Sequence, residues 1–283
     1  MKTTGSNHRL PGKLARYAAI VAIALAGTLP ALPAKAQGDL LVAPTRVILD
    51  GRRGTEVILS NIGSEEATYR VELELRRMTP EGGLIDVEPD QANAIELAAL
   101  EMIRYAPRRI TLPPGQPQAV RLSARPGAEL PDGEYRVHMA FRAIPRPVKV
   151  TDEEASEPGL KLKLVPVYGV TIPIIVRHGQ LEAKAALEQP RIERAGERSE
   201  IRVTVNRAGQ ASTYGDLQIL RQGSGELLYA ARGLAVYAEV PSREFNLPVA
   251  NDEAARLNGP VRIEYREAAA AGGGLIAAID TVL

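Results

Sequence analysis

Beyond the first 36 residues, few side chains have the types and spacing that chemistry requires. They are His138 and His178, Ser224 between Gly223 and Gly225, and the acidic pairs Glu65-Glu66 and Glu153-Glu154. Two histidines suggest a metal, but neither has a second histidine at ligand spacing, and no H-E-x-x-H run occurs. Ser224 lacks the G-x-S-x-G frame of a nucleophile turn, and no strand-to-helix pattern surrounds it, so it reads as a hairpin turn. The glutamate pairs lie in turns, where solvated charge is the ordinary state. No glycine loop followed by lysine is present to cradle phosphate. The chain has no Cys, which excludes thiolate metal sites, iron–sulfur clusters, disulfides and a cysteine nucleophile. The sequence therefore points away from an enzyme and asks for no cofactor or metal.

The elements that remain must then position a binding surface. Tyr69, Val71, Leu73 and Leu75 alternate with Arg70, Glu72, Glu74 and Arg76. Tyr135, Val137, Met139 and Phe141 alternate with Arg136, His138, Ala140 and Arg142, and Ile201, Val203 and Val205 with Arg202, Thr204 and Asn206. Period two puts successive side chains on opposite faces of a strand. Turn signals separate these runs: Asp50-Gly51, Asn61-Ile62-Gly63, Pro80-Glu81-Gly82-Gly83, Pro113-Pro114-Gly115 and Pro131-Asp132-Gly133. Only Ala92–Met102 resembles a helix, and its composition equally suits a loop leading into a strand. About seven strands before His178 and a similar set after it predict an all-β chain of two immunoglobulin-like β-sandwich domains, 37–178 and 179–283.

Residues 1–36 hold five basic and no acidic side chains, an apolar run Tyr17–Thr28, and Ala34-Lys35-Ala36. This is the three-part pattern of a cleaved secretory signal peptide, with the run too short to span a bilayer. It predicts export to the periplasm without stable membrane insertion. Removing it lowers the basic count from 35 to 30 against 34 acidic side chains. A mildly acidic mature chain gives no support for nucleic-acid binding through a basic patch.

The most informative segment is Leu160–Arg177. Leu160, Leu162 and Leu164 alternate with Lys161 and Lys163; further on, Val170, Ile172, Ile174 and Val176 share a face. Pro166 and Pro173 cannot donate to a ladder, which predicts a long edge strand in two parts with a bulge or kink at Gly169. The acidic, proline-flanked stretch Arg146–Pro158 reads as a mobile loop ahead of it. An apolar edge invites a partner strand, by β-augmentation or by self-association of the free protein.

Several pieces in this order resemble the PapD-like periplasmic chaperones of pilus (fimbrial) assembly. They are Pro44–Gly51, Leu59-Ser60-Asn61, Leu112–Gly115 with Val120-Arg121-Leu122, and Phe141–Pro145 ahead of the apolar strand. The resemblance covers Leu41 to about Arg177. It implies two immunoglobulin-like domains in a boomerang arrangement, whose edge strand near 160–176 completes an unfinished pilus or surface-fibre subunit by donor-strand complementation. It implies an outer-membrane usher as second partner. It also implies that Arg46 anchors the subunit's C-terminal carboxylate, while Leu160, Leu162 and Leu164 fill its apolar positions. The family's second anchor is a lysine, and that place holds Gly169 or Thr171 here. Arg177, Arg136, Arg142 or the Thr171 hydroxyl are the substitutes within reach. The alternative is a structural cell-envelope protein of tandem immunoglobulin-like domains without chaperone activity.

Overall fold

The structure is a computed structural model that describes residues 40–145, 167–196 and 198–283. The signal-peptide pattern, the acidic loop Arg146–Pro158, Pro166 and the three leucines Leu160, Leu162 and Leu164 lie outside the described residues. The described residues belong to one compact unit, Gly38–Leu283. They are nearly all β.

One sheet runs in the order β1 (Leu40–Ala43), β3 (Thr55–Asn61), β8 (Pro117–Ala124), β6 (Ile103–Ala106). The sheet packed against it runs β2 (Val47–Leu49), β10 (Gly169–His178), β9 (Gly133–Ile144), β4 (Ala67–Met78), β5 (Leu84–Val87), with β7 (Arg109–Leu112) paired to β4. Their inner faces meet in a core that includes Val57, Leu59, Val120, Tyr69, Val71, Met139, Phe141, Ile172 and Ile174. The apolar faces of β4 and β9 thus enter this core as the alternation predicts, but β9 is buried on its other face as well, at His138 and Ala140.

A second sandwich follows. Its sheets are β11 (Ala183–Ala195), β12 (Arg198–Gly209), β15 (Ser242–Val249) and β14 (Leu227–Val236), β13 (Thr213–Arg221), β16 (Pro260–Arg266), β17 (Leu275–Val282). Ile201, Val203 and Val205 meet Leu217, Ile219, Val261, Ile263 and Tyr265 in its core. Gly223-Ser224-Gly225 is the turn of the β13–β14 hairpin, as expected.

Among the described residues two α-helices interrupt the strands. The first, α1 (Ala94–Met102), occupies the segment that the sequence left between helix and loop. Asn93 accepts from the Glu96 N–H at 2.9 Å, and the Glu96 carboxylate accepts from the Asn93 N–H at 2.9 Å. This reciprocal capping box satisfies two end donors, and Arg77 fixes the same carboxylate at 2.7 Å. The second, α2 (Asn251–Leu257), runs against expectation. Ala250 precedes it without a side-chain cap, and burial of Ala254 and Leu257 holds it instead.

The expected edge strand needs correction. From Ile174 to Val176, β10 is an interior strand, paired to β9 on one side and to β2 in parallel on the other. Nor does Gly169 form a bulge: the register to β9 is unbroken from Gly169↔Arg142 to His178↔Gly133. A Cβ at Gly169 would lie 3.0 Å from the Phe141 carbonyl oxygen, a tight contact that glycine avoids. Among the described residues, the β10 residues that pair with β9 alone are Gly169–Pro173 before β2 and Arg177–His178 after it.

Candidate functional site

The open edge exists because the chain changes sheets just before β2. Strand β1 pairs with β3 in one sheet, whereas β2 joins β10 in the other, beginning at Val47↔Ile174. Among the described residues, Gly169–Pro173 are therefore paired to β9 alone. The Ala143 N–H donates to the Tyr168 carbonyl at 2.9 Å, which fixes the phase of the antiparallel ladder. Even-numbered residues of β10 spend their backbone groups on β9, and odd-numbered ones point them the other way. The N–H and C=O of Gly169 and Thr171 accordingly face the open side, whereas the C=O of Pro173 meets the start of β2 at Val47. Proline at 173 removes no donor from the β9 ladder. Side chains alternate too: Ile172, Ile174 and Val176 enter the first core, whereas Ile175 enters the second.

Arg46 stands where this edge ends. It precedes Val47, the residue that closes the open stretch. Its guanidinium carbon lies 4.5 Å from the Tyr214 ring centroid and 5.6 Å from that of Tyr237, and Nη2 donates to Ser212 Oγ at 3.1 Å. Its Nε is buried without a hydrogen-bond partner among the described residues. No carboxylate of those residues forms an ion pair with it either. Burial pulls its pKa below the ordinary arginine value, and the neighbouring Arg177 charge pulls the same way, against Tyr237, Glu134 and Tyr214. A desolvated charge without a counterion is unfavourable until an anion arrives.

The substitute anchors are already committed. Arg177 Nε donates to Glu134 Oε2 at 3.1 Å, and the Glu134 side chain is 1% exposed. Arg136 pairs with Glu239 and stacks 3.6 Å from the Tyr237 ring centroid. Arg142 pairs with Glu74. Thr171 is half-buried and offers its backbone to the open side, on the same pleat as Ile175. The structure thus brings Arg46 and Arg177 together around Ser212, and places Thr171 apart from them on the edge.

Ser212, Tyr214, Tyr237, Glu134 and Glu239 are the site residues that sequence reasoning missed. Four of them come from the second sandwich, and no local motif marks them. Glu134 was visible only as an acidic residue at the start of an alternating run. His138 belongs to this junction as well. It is 2% exposed, its ring meets Tyr237 edge-on at 6.5 Å, and neither ring nitrogen has a partner among the described residues. Burial, then the charges of Arg136, Arg76 and Arg46, push it down to about 3. Among the described residues no cluster of three or more His, Asp or Glu side chains that could hold a metal ion occurs.

No family model matches the chain, and no curated protein does. Solved structures do match. A chain of the CsuC–CsuE chaperone–tip adhesion subunit complex of Acinetobacter baumannii is 12% identical over 86% of this chain and 97% of that one, with a TM-score of 0.45. A chain of the Salmonella enterica SafA pilin–SafB chaperone complex is 16% identical over 88% and 99%, with a TM-score of 0.43. The CupB2 chaperone of Pseudomonas aeruginosa is 15% identical over 86% and 100%, with the same TM-score of 0.43. Many of the matches are fimbrial chaperones. The likeness is distant.

Proposed function

We propose that the protein is a periplasmic chaperone that captures an extended strand of a secreted pilus or surface-fibre subunit on the edge of β10, without ATP or cofactor. The observation that supports this most is the coincidence of an open sheet edge with a half-buried arginine at its end that pairs with no carboxylate of the described residues. Direction follows from the parallel register of β2 on β10. A strand laid along β2's line opposite Gly169–Pro173, and running parallel to β10, ends at Arg46. Its terminal carboxylate then meets a guanidinium able to grip it by charge-assisted bonds. An antiparallel strand would bring its N-terminal ammonium there instead, against like charge. Thr171 and Gly169 give this strand its backbone partners. Leu160, Leu162 and Leu164, outside the described residues, are the side chains proposed to fill the client's apolar positions, each contributing about 1.5–3 kcal/mol on full burial. An outer-membrane usher is the proposed recipient of the loaded complex. No helix among the described residues is long and apolar enough to cross a membrane.

Thr171→Pro tests this reading, because it deletes an edge N–H and spares the β9 ladder. In cells that co-express a secreted fibre subunit, the wild-type chain is expected to co-purify with the subunit and preserve it from degradation, and the variant to lose most of it. Undiminished co-purification with Thr171→Pro would remove the β10 edge from the mechanism.

A further inference from the structure

Ser212 is a residue of the second sandwich whose polar groups all reach the first. Its N–H donates to Glu134 Oε2 at 3.0 Å, its carbonyl accepts from Arg177 Nη2 at 3.3 Å, and its Oγ accepts from Arg46 Nη2 at 3.1 Å. It is 2% exposed. Three bonds to three separate elements fix its position, and the hydroxyl hydrogen is committed to no acceptor among the described residues. The Arg46 Nε beside it is likewise unspent and shielded from water. Tyr214 and Tyr237 flank the guanidinium and limit the directions from which it can be approached.

Building on the reading of the edge as a capture site, we infer that the carboxylate receptor is shared by both sandwiches, with Ser212 Oγ–H as the second donor beside Arg46. The ligand class is a peptide C-terminal carboxylate. An oxyanion has lone pairs for both groups: the guanidinium supplies charge, and the hydroxyl supplies a directional bond that neither Thr171 nor Gly169 provides from its side chain. A neutral second donor makes the receptor selective for a singly charged acid end without adding a further buried cation. The Arg177–Glu134 pair holds the Ser212 main chain on both sides and leaves the hydroxyl hydrogen uncommitted.

The probe is a synthetic peptide of alternating valine and serine, made with a free C-terminal carboxylate and as its C-terminal amide. Binding to the full chain is measured for the wild type, Ser212→Ala, Ser212→Thr, Arg46→Met and the double variant Arg46→Met/Ser212→Ala. Ser212→Ala retains both main-chain bonds, so the junction is preserved. The acid is expected to bind the wild type more tightly than the amide. Ser212→Ala should lose about tenfold toward the acid and nothing toward the amide, consistent with one hydrogen bond to a charged group. Threonine should restore most of the loss. The same loss should recur in the Arg46→Met background, which a residue that only positions Arg46 would not produce. Acid binding by Ser212→Ala at the wild-type level, or no further loss in the double variant, would overturn the role of Ser212 and leave the edge reading standing. Equal binding of acid and amide to the wild type would overturn end recognition itself.

Discussion

Replacing Arg46 by methionine is expected to weaken capture of a strand with a free C-terminus by about a hundredfold, while barely moving the unfolding midpoint of the free protein. The two effects separate because Arg46 has no carboxylate partner to lose among the described residues. Truncating one member of a desolvated charge pair costs about 2–5 kcal/mol of binding, and a hundredfold is about 2.7 kcal/mol. In the free chain the same substitution forfeits one hydrogen bond to Ser212 and the stacking on Tyr214 and Tyr237. It also relieves the desolvation of an uncompensated charge, and methionine fits between aromatic rings. Titration calorimetry with a free-acid peptide and urea unfolding of the same sample measure both quantities. A large fall in stability with unchanged affinity would make Arg46 a structural residue instead.

The second large effect is acid sensitivity carried by His138. In the unfolded chain this histidine titrates near 6.5, while in the fold it is held down to about 3 by burial and by the arginines around it. Between those values the unfolded state takes up a proton that the folded state refuses. The contribution of His138 to stability is therefore complete above pH 6.5 and is lost as pH falls toward 3. Each step of one pH between those values removes about 1.36 kcal/mol, so the loss is about 2 kcal/mol by pH 5 and about 4–5 kcal/mol by pH 3. His138→Phe keeps a ring against Tyr237 and cannot protonate. Carboxylates also titrate in this range, so the informative quantity is the difference between the two proteins. Wild type and variant should diverge steadily in urea midpoint from pH 7.5 to pH 5. Parallel curves over that range would show that the histidine reaches water or a partner in solution.

How much of this was legible beforehand depended on whether a feature was local. The alternation in β4, β9 and β12 could be read because each strand has one face in a core, and period two records that directly. Pro173 correctly marked an edge, since a residue without an N–H tolerates only the open side. The extent of that edge was not legible. It is set by β2, three residues long, which pairs with a strand far along the chain and turns Ile174–Val176 into an interior segment. The start of α1 was written in Asn93 and Glu96, but α2 has no cap and depends on tertiary burial alone. Arg46 could be named from the resemblance. Its surroundings could not, because Ser212, Tyr214 and Tyr237 arrive from the second sandwich and follow no spacing rule relative to it. Arg177 could be named as a candidate second anchor, but its pairing with Glu134 on the neighbouring strand could not.

Residue-resolved amide exchange along β10 examines strand capture most directly. In the free protein the N–H groups of Gly169 and Thr171 face the open side, while those of Val170 and Ile172 are bonded to β9. Addition of a free-acid strand peptide should slow exchange at Thr171 and Gly169 by at least tenfold and leave Val170 and Ile172 as they were. Saturating binding with Thr171 still exchanging at its free rate would place the partner elsewhere and contradict capture on this edge.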